Sequence, residues 1–111
     1  MLESKLNKLL ANYAVEYHKL QTLHWYVKDH AFFQTHAKLE DYYNEAYEAV
    51  DEIAEKLRMI GGKPLANLDE FKANATISEA KGEFVTQKQA FATAKADFEQ
   101  LLADVKDIKH D

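Results

Sequence analysis

Four of the five histidines in this chain fall at positions 18, 24, 30 and 36. With Asp and Glu, they are the residues whose types suit a reactive centre. The chain has no cysteine, so it has no thiolate ligand, no thiol nucleophile and no disulfide framework. It also lacks a Gly-rich phosphate loop and any Ser or Thr in a nucleophile turn. Steps of six residues turn a helix by about 600°, so successive histidines of the series point in different directions. Neither His-x-x-x-His nor Glu-x-x-His occurs, and the latter is what two helices of an ordinary di-iron bundle supply. A metal site inside the core of one bundle therefore finds little support.

The second half of the series is more informative. His36 and Glu40 are four residues apart, as are Asp51 and Glu55. Taking about 100° per residue from His36, the four lie near 0°, 40°, 60° and 100°, a single stripe beside the apolar face. Along the axis, however, His36 and Glu55 are about 28 Å apart, too far to share an ion within one helix. An antiparallel copy of the helix, centred near Glu45 and Ala46, would set His36 beside the partner's Glu55 and Glu40 opposite the partner's Asp51. A two-fold dimer would then hold two identical sites, each built half from one chain. Mixed imidazole and carboxylate ligands suit iron, zinc or manganese. The same spacings are also common on solvated helix faces. By its own spacing, His24 reads as a core or interface histidine that continues the face of Tyr17 and Leu20. His18, His30 and His110 have no special claim.

The elements that must position these residues are helices. The chain has 111 residues, of which 47% are hydrophobic and 30% charged, with only three Gly and one Pro. Such a mix is globular, and one domain of this size can bury a useful core. Few breakers among many helix formers point to long helices. The formal charge of −5 argues against a mainly electrostatic nucleic-acid binder, which usually carries a basic face or tail. No apolar run approaches the roughly 20 residues of a membrane span, and no basic-then-apolar leader precedes the first helix.

The first helix runs from about Leu2 to Lys28, with Leu6, Leu9, Tyr13, Tyr17, Leu20, Leu23 and His24 on one face. The second runs from about Phe33 to Ile60, and Gly61-Gly62 and Pro64 end it. The corner between them holds Asp29, a residue that tolerates unusual backbone angles. In the connector from Gly61 to about Val85, Asn67 can cap a short helix through about Lys72 that buries Leu68 and Phe71. A third long helix starts near Thr86, which has capping-box spacing to Gln89. The reading is a single all-α domain over 1–111, with three long helices and a short connector helix.

The stretch from Leu23 to Glu55 holds Leu23-His24-Trp25-Tyr26, Phe32-Phe33, His36 and Asp51-Glu52-Ile53-Ala54-Glu55, and the helix closes with Met59-Ile60-Gly61-Gly62-Lys63-Pro64. This combination resembles the Dps family, the mini-ferritins that protect DNA in starved bacteria. The resemblance implies a ferritin-like helical bundle and a ferroxidase centre shared across a two-fold interface. His24 and His36 would come from one chain, and Asp51 and Glu55 from its neighbour. The family's remaining Asp falls at Glu40, whose extra methylene moves the carboxylate. Trp25 matches a family tryptophan beside the centre, where it would intercept oxidising equivalents. The resemblance also implies that Fe(II) is oxidised, preferably by hydrogen peroxide. The Fe(III) would then be mineralised inside a hollow, cytoplasmic homo-dodecamer.

Two departures stand out. Family chains usually carry four long helices, and this one ends after the third, which reads as a C-terminally truncated domain. No Lys-rich tail precedes the first helix, so direct DNA binding is weakly supported. Two alternatives to the ferroxidase follow: a non-catalytic helical association module, and a DNA-compacting protein with weak iron chemistry.

Overall fold

The chain folds into four helices: α1 (Leu2–Tyr26), α2 (Phe32–Met59), the short α3 (Leu68–Asn74) and α4 (Gln87–Lys109). The computed structural model describes residues 2–28 and 32–109. Asp29 and His30 at the first corner, and His110, lie outside the described residues. Helix ends agree with the expected ones to within two residues. No helix among the described residues is long and apolar enough to cross a membrane.

α1 is the hub, and α2, α3 and α4 each pack on it. Its apolar residues recur at helical spacing and feed two clusters. Leu6, Leu9, Leu10 and Val15 meet Ile53, Leu57, Ile77 and Leu101 at one end. Leu20, Leu23 and Val27 meet Leu39, Ala46, Ala90 and Ala94 at the other. Tyr13 and Phe98 border both clusters.

Local chemistry sets the breaks. Gly61, at φ +79°, takes the left-handed conformation that ends α2, and the Gly62 amide donates back to the Leu57 carbonyl at 2.8 Å. Asn67 and Glu70 form a reciprocal capping box on α3. Thr86 and Gln89 do the same for α4, with the Gln89 amide donating to Thr86 Oγ1 at 3.1 Å and the Thr86 amide donating to Gln89 Oε1 at 2.9 Å. A short parallel bridge between Val27 and Val85 ties the end of α1 to the start of α4. One burial expectation is corrected. Phe71 is half-buried, but Leu68 is 81% exposed. The capping box makes Leu68 the first residue of α3, where it borders an open cavity that Val15, Tyr47 and Val50 also line.

Between the two apolar clusters, the α1–α4 seam is polar. Asn12 is fully buried and donates to Asp104 Oδ2 at 2.8 Å. Its carbonyl oxygen accepts from the Thr76 and Ile77 amides. Lys19 Nζ lies 2.9 Å from Asp97 Oδ2, and both groups are nearly buried.

Candidate metal centre

His24 sits in the last turn of α1 and His36 near the start of α2, so the packing of α2 on α1 brings together two residues twelve apart in sequence. Each ring faces the other's backbone. His24 Nδ1 lies 2.6 Å from the His36 carbonyl oxygen, and His36 Nδ1 lies 2.8 Å from that of His24. The rings stack with centroids 3.4 Å apart and planes at 18°. A carbonyl oxygen only accepts, so each Nδ1 must donate. In a neutral ring held this way, Nε2 carries the lone pair and is the ligating atom. This is the outer support that usually orients a metal-binding histidine.

Glu40, one turn beyond His36, completes the cluster. Ligand atoms of His24, His36 and Glu40 all lie within 4.8 Å of one another. Glu40 Oε1 stands 3.9 Å from His24 Nε2, too long for a hydrogen bond. Two ligands on one cation, each about 2.1 Å from it, can be that far apart. His24 is buried and its ring is held edge-on by Tyr43 at 5.2 Å, which in turn meets Tyr17 at 5.9 Å. Half of the Glu40 side chain is exposed. The cluster is thus rigid on its histidine side and open on its carboxylate side.

The other expected residues lie elsewhere. Asp51 and Glu55 are exposed further along α2. They are not gathered with His24 and His36 in one chain, as the axial distance required. Trp25 is 54% exposed and meets His18 edge-on at 6.3 Å. Tyr47 is 61% exposed on α2 between the two acidic stretches. What sequence reasoning missed is the reciprocal histidine clasp and the Tyr43–Tyr17 buttress. The tyrosines were legible only as helix-face residues.

A second titratable group is buried away from this centre. Glu16 is fully buried, and neither of its oxygens meets a donor. Burial first, then the hydrogen bond to Asp97 and that residue's charge, push its pKa up from 4.5 to about 10, against a smaller downward pull from Lys19. Glu16 therefore keeps its proton at neutral pH and shares it with Asp97.

Residues 3–110 match the family model of the ferritin-like domain. The chain is 40% identical over 101 residues to "DNA protection during starvation protein 2" of Bacillus anthracis, covering 91% of this chain and 68% of that one. A solved Dps protein from Bacillus brevis superposes with a TM-score of 0.94 at 34% identity, covering 98% of this chain and 72% of the other. A Dps protein from Vibrio cholerae O1, described as a member of a broad superfamily of ferritin-like diiron-carboxylate proteins, gives 0.92 at 30% identity, over 96% and 67%. The chain thus spans about two thirds of the length of these relatives.

Proposed function

Since the chain belongs to the Dps family of ferritin-like proteins, we propose that it is a ferroxidase and iron-storage subunit whose centre is completed by a second copy. The observation that carries this reading is the His24–His36–Glu40 cluster, with both imidazoles oriented by the opposite backbone. Three ligand side chains on one face leave a cation half-coordinated. Asp51 and Glu55 are exposed on α2, and the two-fold arrangement brings the partner's Asp51 and Glu55 to the open side.

Fe(II) is the substrate. The imidazoles suit Fe(II), and the harder carboxylates favour Fe(III), so the ligand set stabilises the product of oxidation. Two Fe(II) each give one electron to one hydrogen peroxide, which takes up two protons and leaves as two waters. Iron and peroxide are consumed together, which suppresses hydroxyl-radical formation and protects DNA without contact. Trp25, next in the chain to His24, would take up a stray oxidising equivalent. Fe(III) is stored as mineral within a cytoplasmic dodecamer. The charge of −5 makes protection by removal of iron a better reading than DNA compaction.

Stopped-flow mixing of Fe(II) with hydrogen peroxide tests this. Oxidation should be at least about tenfold faster than in a His36→Ala, Asp51→Ala double variant, since even the outer partners of metal ligands are typically worth tenfold. Equal rates would reject the reading.

A further inference from the structure

The rings beside the histidine pair form a continuous series. His24 meets Tyr43 of α2 edge-on at 5.2 Å, Tyr43 meets Tyr17 of α1 edge-on at 5.9 Å, and Tyr17 meets Tyr47 of α2 at 5.4 Å. Each step is an ordinary aromatic contact. Tyr43 and Tyr17 are half-buried, and Tyr47 is 61% exposed. Phenylalanine would pack as well at these positions, but of the two only tyrosine can give up an electron with its phenolic proton and regain both. Two other ring series lead to phenylalanine: Tyr26 meets Phe84, and Tyr42 meets Phe91 and Phe98. Trp25 adjoins His24 in sequence, but its ring meets His18.

The far end of the series lies on the α2 face that the second copy covers. On the scale used above, Tyr47 falls near 20°, inside the stripe of His36, Glu40, Asp51 and Glu55. A two-fold axis at Glu45 and Ala46 maps position 47 to the level of position 44, so the two Tyr47 residues are about 4.5 Å apart along the helix. The axis runs between the two helices and across both, so each Tyr47 keeps its side and the two rings become neighbours.

Hydrogen peroxide takes two electrons, and a centre holding one Fe(II) supplies one. We propose that Tyr43, Tyr17 and Tyr47 are a redox relay that joins the two centres of a dimer through the partner's Tyr47, so that one peroxide draws its electrons from both. The relay presupposes the shared centre of the proposed function. At the first centre, Fe(II) gives one electron, and Tyr43 gives one electron and its proton. With one further proton from solvent, the peroxide leaves as two waters, and Fe(III) and a Tyr43 phenoxyl radical remain. Tyr17 restores Tyr43 with an electron and a proton, and Tyr47 restores Tyr17 in the same way. The partner's tyrosines repeat the exchange as far as the partner's centre. There Fe(II) supplies the electron and solvent the proton, and the last tyrosine is a phenol again. The sum is two Fe(II), one peroxide and two protons, giving two Fe(III) and two waters.

Freeze-quench electron paramagnetic resonance tests the relay, with one Fe(II) per chain and half as much hydrogen peroxide. The wild type should oxidise all of its iron and leave little radical. Tyr47→Phe keeps the ring and cuts the relay at the interface. Its yield of Fe(III) per peroxide should fall about twofold, with a tyrosyl signal stranded on Tyr43 or Tyr17. Tyr43→Phe should lose that signal. A full Fe(III) yield without a radical in Tyr47→Phe would overturn the relay and leave the ferroxidase reading intact. A wild type no faster than the His36→Ala, Asp51→Ala variant would overturn both. The interface step is read without iron. Photo-oxidation of the metal-free chain by a ruthenium tris-bipyridine complex, with persulfate as electron acceptor, should couple the two Tyr47 rings as dityrosine. The product is a covalent dimer on a denaturing gel, and Tyr47→Phe should lack it. Absence of that dimer in the wild type, or an equal yield in Tyr47→Phe, would overturn the pairing on which the relay depends.

Discussion

The histidine clasp is a rigid two-residue device. Each imidazole donates its Nδ1 proton to the other residue's carbonyl, which fixes the orientation of both rings. Glu16 shows the opposite strategy, a buried carboxyl kept protonated by its burial and by the Asp97 carboxylate beside it. Its raised pKa has a consequence for stability. The folded state holds the Glu16 proton up to about pH 10, whereas the unfolded chain releases it near 4.5. The contribution of Glu16 is therefore fully present below pH 4.5 and is lost progressively as pH rises towards 10. Glu16→Gln, which cannot ionise, should match the wild type in mild acid and exceed it increasingly from neutral to alkaline pH. Urea midpoints of the two proteins across that range will show whether the gap widens. Neither device was legible in the sequence. His24 was recognisable as buried from its helical face, but a carbonyl twelve residues away leaves no local pattern. Glu16 sits at the period of the α1 core face, but Asp97, which faces it, lies on α4.

At the scale of the elements, the helices were readable from spacing, breakers and caps. Gly61 and the Asn67 and Thr86 boxes act locally, so their effects are written within four residues. The seam between α1 and α4 is different, because its partners are far apart in the chain. Asn12 joins α1 to Asp104 of α4 and to the connector at Thr76 and Ile77. Asn12→Ala should leave two amides and a carboxylate short of a partner in a buried place, at a cost of about 3 kcal/mol. Chemical denaturation monitored by circular dichroism will measure that loss, and a change below about 1 kcal/mol would mean that water replaces the side chain. A signal for this seam did exist, in Asn12, Glu16 and Lys19 at core-period positions on α1. It reads as a seam only once α4 is known to lie opposite.

At the scale of the whole molecule, the proposed centre requires two chains. That demand gives a mixing test with a definite result. His36→Ala damages the histidine half-site, and Asp51→Ala damages the half lent to the neighbour. In a dimer of the two variants, one site carries both defects and the other carries neither. Random re-pairing of an equal mixture should therefore restore about a quarter of the wild-type peroxide-driven Fe(II) oxidation from two inactive proteins. A mixture as inactive as its parents would mean that each centre lies within one chain.

Composition, breakers and the three-four spacing determined by themselves that this protein is a set of long helices with one short connector. The motifs from His24 to Glu55 identified its family. These properties are local, set by backbone angles and by which side of a helix a residue occupies. The tertiary structure decided that His24 and His36 lock each other's rings, that burial and Asp97 keep the proton on Glu16, and that Asn12 ties α1 to Asp104 and the connector. Each of these depends on groups brought together across helices, and sequence spacing carries no record of that.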